Sequence, residues 1–277
     1  MPLIYFDHNY VVTAQQGPEP YHAHLRQLAT TGRATFALSP MHWVEAAEDT
    51  NVARGDAKAA FMDSLAPRWF FDRRSIQRRE VASVFFRHLR IDVNPRQMMG
   101  SVSDVIADLV GQEAERDSRA FVAHLRGIGP NHPLEQSLQQ AFDTNQHNTV
   151  LFRKGKLTLA ITQRVERLYA KQLLPAATPA GILIDDNIKN QFADNCQIEQ
   201  FASIALEHRA TRDNWSQGRK LNRNNFMDQQ HLIALPYVDF FVTDDARLTS
   251  LIGRISVGFP FGLGTILTKA QFDTQYP

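Results

Sequence analysis

The fold is decided by residues 225–248, which read NFMDQQHLIALPYVDFFVTDDARL. The first part predicts a short helix, because apolar residues follow Asp228 and its negative charge suits the positive end of a helix dipole. Residues 240–243 form the kind of apolar run that is buried on both faces of a parallel sheet. Asp244 and Asp245 follow this strand directly, and ligands bind at the carboxyl edge of open α/β sheets.

The amino-terminal residues repeat this arrangement. Residues 3–6 (LIYF) predict a second buried strand, and Asp7, His8 and Asn9 follow it. A third strand is predicted at residues 34–38 (ATFAL). Acids at the carboxyl ends of two buried strands indicate a shared site.

A helix is predicted after the third strand, with Ser39 as its N-cap and Pro40 at its first position. Glu45 on this helix has two interpretations. It is an acid of the site, because it lies near the strand end, or it belongs to a solvated acidic face with Glu48 and Asp49. If the three predicted strands are neighbours in one parallel sheet, four acids meet at its edge: Asp7, Glu45, Asp228 and Asp245.

The ordered set of acids resembles that of the PIN-domain nuclease family. Residues 7–9 (DHN) resemble the family's opening motif after a first strand, and residues 243–245 (TDD) resemble its later acidic turn. Glu45 and Asp228 occupy the helix positions between these two motifs. Residues 264–272 resemble the last strand and short helix of such domains. The resemblance implies an α/β fold, with a PIN-like three-layer core and a central parallel sheet.

The resemblance covers about residues 1–55 and 220–277 and does not extend to the middle of the chain. Between them, apolar residues at helical spacing, punctuated by prolines, predict a succession of helices. We therefore expect a PIN-like nuclease core formed by residues 1–55 and 211–277, and a large helical insertion at residues 56–210.

Composition sets further bounds. The chain has 277 residues, 43% of them hydrophobic, which suffices for one large domain or two small ones. No apolar run approaches the roughly 18 residues that cross a bilayer, and no signal-like segment is recognisable, so we expect no membrane partner and a cytoplasmic location. The single cysteine, Cys196, excludes an intramolecular disulfide and a cysteine-rich zinc site.

The acids predict a metal-dependent reaction. Oxygen-only ligands select hard cations, and crowded carboxylates repel one another until a cation neutralises them. We expect Mg²⁺ or Mn²⁺ to be held by Asp7, Asp228 and Asp245, with Asp244 as a rival because only one of two consecutive side chains can face the site. With Glu45 these acids form the expected catalytic group, which would activate water against a phosphodiester. The resemblance favours RNA over DNA, and hence an endoribonuclease.

Polar and basic residues near the acids are candidates for substrate contact. Thr243 could orient the acids through its hydroxyl group or simply end a strand. Asn9 could position Asp7 or serve only as a turn residue. The favoured phosphate contacts are a basic group shortly before the helix of Asp228: Arg219, Lys220 and Arg223.

A second basic group lies at residues 68–90, where arginines alternate with aromatic residues. The aromatic side chains could stack on unpaired bases, or they could form core while the arginines mark a solvated face. The aromatic residues concerned are Trp69, Phe70, Phe71, Phe85 and Phe86.

Other functions compete with the endoribonuclease. One is a catalytically silent PIN-like module that binds RNA or a protein, and another is a structure-specific DNA nuclease. A phosphatase that uses Asp7 as nucleophile lacks the usual Asp-x-Asp motif, because Asn9 occupies the second position. RNA is the expected partner, and the resemblance to toxins of the family adds an antitoxin or other protein, or a second copy of the chain in a homodimer.

Overall fold

The computed structural model describes residues 1–91, 97–110, 117–217 and 222–277. Its strands are β1 (Leu3–Phe6), β2 (Thr35–Leu38), β3 (Arg68–Phe70), β4 (Met99–Gly100), β5 (Phe240–Val242) and β6 (Thr265–Leu267). Its helices are α1 (His8–Gln15), α2 (Glu19–Thr30), α3 (Pro40–Ala47), α4 (Val52–Ser64), α5 (Arg73–His88), α6 (Val102–Val110), α7 (Ser118–Ile128), α8 (Pro133–Arg153), α9 (Leu159–Gln172), α10 (Asp186–Asn195), α11 (Ala202–Ser216), α12 (Arg223–Gln230), α13 (Ala246–Ile255) and α14 (Lys269–Gln275). Short 3₁₀ helices cover Gly129–Asn131, Ile198–Gln200 and His231–Tyr237.

The strands form one sheet in the order β4-β3-β2-β1-β5-β6. Strands β3, β2, β1, β5 and β6 are parallel, and β4 pairs antiparallel with β3 at the edge. The predicted α/β class is therefore confirmed. The five parallel strands agree with the predicted central parallel sheet, and β4 makes the sheet mixed by adding an antiparallel strand at its edge.

The strand order reverses between β1 and β5. From β1 the chain moves through α1 to α4 toward β2 and β3, whereas from β5 it moves through α13 toward β6 on the opposite side. Because parallel crossovers are right-handed, these opposite directions place α1 to α4 on one face of the sheet and α13 on the other, which gives three layers. Ligands bind outside the carboxyl ends of the strands at such a reversal.

The sheet extends beyond residue 56, where the helical insertion was predicted to begin. Strand β3 pairs with β2, with Leu38 opposite Trp69, and β4 adds the next strand. Both strands lie within residues 56–210. The sequence did not reveal them because strands of two or three residues are too short to show an alternating pattern.

The rest of this middle region is helical over the described residues, and it carries a second apolar cluster. Phe85 and Phe86 of α5 pack with Phe192 of α10 and with Phe201. Helix α11 packs against both α5 and α13. Through α11, the helices of this middle region are therefore joined to the layer that contains α13.

The aromatic residues between the arginines of residues 68–90 are core, so the base-stacking interpretation is wrong. Burial explains this outcome: β3 brings its aromatics into the sheet, and α5 turns its aromatics toward α10. Two of the accompanying arginines are also used internally, since Arg73 pairs with Glu207 at 2.6 Å and the Arg79 guanidinium lies 3.7 Å from the centre of the Phe71 ring. The buried aromatics are Trp69, Phe70, Phe71, Phe85 and Phe86.

Within the described ranges, no helix combines the length and apolar character that are needed to cross a bilayer.

Trp69 tests the placement of β3 in the core. Its ring is fully buried and stacks on Trp43 of α3, with ring centres 4.1 Å apart. Trp69→Ala should lower the free energy of unfolding by about 3–5 kcal/mol, the usual cost of deleting a large buried aromatic side chain. Urea denaturation of the purified variants measures this change.

Leu168→Ala is the control, because Leu168 of α9 is an exposed apolar residue. Its free energy of unfolding should stay within about 0.5 kcal/mol of the wild type. A Trp69→Ala cost below about 1 kcal/mol would contradict the buried position of β3.

Candidate active site

The register between β1 and β5 places Asp7 beside Thr243. Phe6 lies opposite Val242, and the Asp7 N–H continues the ladder by donating to the Val242 carbonyl at 3.1 Å. The Thr243 hydroxyl donates to Asp7 Oδ2 at 2.5 Å and accepts from the Asp245 N–H at 3.0 Å. Thr243 therefore orients two acids at once, and its buried hydroxyl is already engaged rather than open to a substrate.

Asp7 is fixed at both carboxylate oxygens. While Oδ2 accepts from Thr243, Oδ1 accepts from the Tyr10 N–H at 2.7 Å and so caps α1. Burial raises the pKa of Asp7, although the hydrogen bonds from Thr243 and Tyr10 act in the opposite direction. Asn9 lies exposed in the first turn of α1, two residues after Asp7.

The consecutive acids after β5 point in different directions. Asp245 caps α13, because its Oδ1 accepts from the Arg247 N–H at 2.7 Å and the Leu248 N–H at 3.1 Å. Asp244 is exposed and accepts from the Lys269 N–H at 3.0 Å, at the start of α14. Asp245 therefore shares Thr243 with Asp7, whereas the carboxylate of Asp244, the rival predicted ligand, is directed toward α14.

Glu45 of α3 is half-buried, with 14% of its side chain exposed, and it faces two histidines rather than solvent. Its Oε2 lies 3.1 Å from His8 Nδ1 and 3.1 Å from His231 Nε2. Burial alone would raise the pKa of Glu45, but the two histidines outweigh burial and lower the pKa to about 2. Its two acidic neighbours on the chain are used elsewhere, since Glu48 pairs with Arg223 and Asp49 with Arg54.

His231 supplies a buried positive charge beneath the acids. Burial would lower its pKa, but Glu45 and the hydrogen bond to it raise the pKa above the ordinary value. Nε2–H donates to Glu45, and Nδ1 lies 2.6 Å from the Tyr5 hydroxyl, which in turn lies 2.7 Å from Ser39 Oγ. The imidazolium form therefore has a partner at each nitrogen.

Two further histidines of this network have pKa values below the ordinary histidine value. Burial lowers the pKa of His8, although the carboxylate of Glu45 acts in the opposite direction. Burial, assisted by the charge of His231, lowers the pKa of His42 to about 3. The neutral His42 ring accepts from the Ser39 N–H at 3.1 Å and donates from Nε2 to the Phe6 carbonyl at 2.9 Å, so it ties the start of α3 to the end of β1.

Asp228 of α12 completes the group. Burial is the main cause that raises its pKa to about 6, and repulsion from Asp245 and Glu45 adds to this rise, whereas His231 and Arg247 oppose it. Shared partners link the acids: Arg247 contacts Asp228 and Asp245, and Thr243 connects Asp245 with Asp7. The site, called here the acid cluster, consists of Asp7, Glu45, Asp228 and Asp245.

Arg247 lies over the acid cluster, and sequence analysis did not identify it. Its Nη2 is 3.8 Å from Asp228 Oδ2 and 3.5 Å from Asp245 Oδ2, and its Nη1 donates to Asn225 Oδ1 at 3.1 Å. The side chain is nevertheless 69% exposed. The available signal in the sequence was a basic residue two positions after Asp245, the acid that follows β5. Only the helical turn at the start of α13 shows that its side chain turns back toward Asp228 and Asp245.

Of the three basic residues that were predicted to contact phosphate, the structure describes only Arg223. Arg223 donates from Nη2 to Glu48 at 2.6 Å and to Glu135 at 2.9 Å, and from Nη1 to Gln139 at 3.0 Å. It joins α12 to α8 and to the end of α3, and Glu135 and Glu48 from these two helices already pair with its guanidinium. Arg219 and Lys220 lie outside the described residues.

No group of three or more His, Cys, Asp or Glu side chains in the described ranges is arranged to hold a metal ion. The carboxylates are instead directed at Thr243, His231 and Arg247. The donor set itself suits a hard cation, because Asp7, Asp228 and Asp245 offer only oxygen atoms. The raised pKa values of Asp7 and Asp228 reflect burial of negative charge, which a divalent cation would relieve.

Comparison of the chain with protein-family models, with curated proteins and with solved structures found no match.

Asp228→Asn tests the electrostatic cost of the acid cluster. The pKa of Asp228 is raised in the folded state, so the carboxylate destabilises the fold progressively as the pH rises from about 4 to above 6. In EDTA at pH 7.5, the variant should therefore exceed the wild type in free energy of unfolding by about 1–3 kcal/mol. At pH 3.5, where both states are protonated, this difference should largely vanish.

Urea denaturation at the two pH values measures the effect. Asp244→Asn is the matched control, because it removes a neighbouring but exposed carboxylate and should change the free energy by less than about 0.5 kcal/mol. An Asp228→Asn variant that is no more stable than the wild type at pH 7.5 would show that Asp228 bears no electrostatic strain.

Proposed function

We propose that the protein is a metal-dependent nuclease that hydrolyses phosphodiester bonds, and that it acts as an endoribonuclease. The observation that supports this is the meeting of Asp7, Glu45, Asp228 and Asp245 at the carboxyl edge between β1 and β5, where the strand order reverses. The choice of RNA rests on the resemblance of the acid order to PIN-domain nucleases. Asp7 and Asp245 also cap helices, but capping does not require two further acids beside them, because each added charge raises the cost of burial.

Asp7, Asp228 and Asp245 would hold Mg²⁺ or Mn²⁺. When bound, such an ion supplies an activated water and neutralises the charge that develops on the phosphate. Thr243 keeps the Asp7 carboxylate in one orientation and holds the Asp245 backbone beside it. The helix cap made by Asp245 leaves its Oδ2 directed at Arg247, so that oxygen is the one available to a cation.

Glu45 has a different task from the other three acids. Its low pKa makes it a poor proton acceptor at neutral pH, since general bases work best with a pKa near the operating pH. It remains ionised and holds His8 and His231 in place. We therefore assign to Glu45 an orienting and electrostatic role beneath the acids that would bind the ion.

A catalytically silent RNA-binding or protein-binding module is the competing function. The observation that favours it is that His231 and Arg247 already supply positive charge to the acid cluster. Titration with Mn²⁺ by isothermal calorimetry distinguishes the two, because only the nuclease requires a site with an affinity that Asp7→Asn abolishes. Comparison of single-stranded RNA, single-stranded DNA and a DNA flap as substrates separates the endoribonuclease from a structure-specific DNA nuclease.

Asp7→Asn tests the nuclease directly. The asparagine Oδ1 can still accept from the Tyr10 N–H, and its amide NH2 can donate to the Thr243 hydroxyl oxygen instead of accepting from it, so the fold and the cap of α1 should persist. Cleavage of a labelled single-stranded RNA in Mg²⁺ or Mn²⁺ should fall by about 10²-fold or more, because a ligand charge worth several kcal/mol in the transition state is lost. Circular dichroism and a thermal melt monitor folding.

Asp244→Asn serves as the control for charge at the same strand end, and its cleavage rate should match that of the wild type. If Asp7→Asn cleaves RNA at the wild-type rate, Asp7 has no part in the reaction. If both variants lose activity equally, the separation of Asp244 from the acid cluster is wrong.

A further inference from the structure

We infer that Arg247 binds the phosphate group of the nucleic acid at the acid cluster, and that its ion pairs with Asp228 and Asp245 are exchanged for a divalent cation. This inference rests on the proposed nuclease function and identifies the residue that receives the substrate. It replaces the assignment of phosphate contact to Arg223, whose guanidinium is already engaged with Glu48 and Glu135.

The first argument is the looseness of the Arg247 ion pairs. Its Nη2 donates to Asp245 Oδ2 at 3.5 Å and lies 3.8 Å from Asp228 Oδ2, and both distances exceed the roughly 2.7–2.9 Å that is usual between a guanidinium and a carboxylate. Arg254 on the same helix shows the contrast, because both its Nε and its Nη2 lie 2.9 Å from the Asp213 carboxylate. Arg254 is held as a structural contact, whereas 69% of the Arg247 side chain is exposed.

The second argument is where the Arg247 backbone stands. Asp245 accepts its N–H at 2.7 Å, so the residue is fixed in the first turn of α13, next to an acid of the cluster. From there the long side chain reaches Asn225 and Asp228 of α12. The guanidinium can therefore move outward by side-chain rotation alone, without a change in the fold.

The third argument concerns charge. The carboxylates of the acid cluster repel an approaching phosphodiester. The exposed guanidinium of Arg247 lies beside two of these carboxylates and counteracts the repulsion. A guanidinium presents several N–H donors in one plane, which suits two phosphate oxygens at once. In the free chain the same group contacts the acids that would hold a divalent ion, so it competes with that ion.

Three variants test the exchange. Arg247→Ala removes the guanidinium, Arg247→Lys keeps the charge but not the planar fork, and Arg119→Ala is the matched control. Arg119 of α7 is also 69% exposed and also makes a long ion pair, 3.9 Å from Nε to Asp56, but it lies outside the acid cluster. Because both arginines are exposed, all variants should keep the wild-type melting temperature within a few degrees.

Two measurements apply to each variant. Isothermal calorimetry with Mn²⁺ alone should show a Kd for Arg247→Ala that is about two- to five-fold lower than for the wild type, the size of a lost exposed ion pair. Cleavage of a single-stranded RNA should show a KM about ten-fold higher, with kcat changed less. The slope of log KM against log salt should fall by about 0.7, as expected for one lost phosphate contact on a single strand.

Arg247→Lys should retain the salt slope and show an intermediate KM, and Arg119→Ala should match the wild type in every measurement. If Arg247→Ala matches Arg119→Ala in KM and salt slope while the wild type cleaves RNA, the role of Arg247 is overturned and the nuclease stands. Weaker Mn²⁺ binding by Arg247→Ala would overturn the exchange. If the wild type neither binds Mn²⁺ nor cleaves RNA, the nuclease and the role of Arg247 are both overturned.

Discussion

The parallel register between β1 and β5 is the constraint on which the rest of the site depends. It continues one residue past both strands, so that Asp7 comes to lie beside Thr243 and a single hydroxyl group connects Asp7 with Asp245. A slip of one residue would turn every side chain of β1 to the opposite face and separate these groups. The two ends of the chain are thereby joined at the centre of the sheet, and α3 and α12 bring the remaining acids to the same edge.

The negative charges of the site are only partly compensated. Negative groups in a poorly hydrated place are costly unless they are paired, and the chain supplies only partial compensation. The buried His231 pairs with Glu45, and the exposed Arg247 makes long contacts with Asp228 and Asp245. Asp228 still has a raised pKa, so the pairing is incomplete. Groups of this kind concentrate at functional sites, where stability is sacrificed for chemistry.

Local sequence predicted the parts of this site that depend on a few consecutive residues. Apolar runs followed by acids indicated β1, β2 and β5, and the Ser39-Pro40 pair indicated the start of α3. Asp7, Glu45, Asp228 and Asp245 were selected by their positions on or after such elements. In the structure Thr243 connects Asp7 with Asp245, Arg247 contacts Asp245 and Asp228, and His231 contacts Glu45. The resemblance to PIN-domain nucleases supplied the order of the acids but no independent match supports it.

The features that sequence analysis missed depend on contacts between distant residues. Strand β3 is recognised by its pairing with β2 and not by its three residues. Arg223 was expected at the substrate, but Glu135 arrives from α8 and neutralises it. The charge of His231 depends on Glu45, which lies on a helix from the other end of the chain. No spacing within one segment encodes such partners.

The most direct test of the central claim is to locate Mn²⁺ in crystals of the wild-type protein by anomalous diffraction at the manganese edge. If acids from both ends of the chain share a divalent ion, an anomalous peak will lie in contact with Asp7 and with Asp228 or Asp245, and Arg247 will have moved away from it. A Mn²⁺ peak elsewhere on the protein, or ordered acids with no peak between them at saturating Mn²⁺, would contradict the claim.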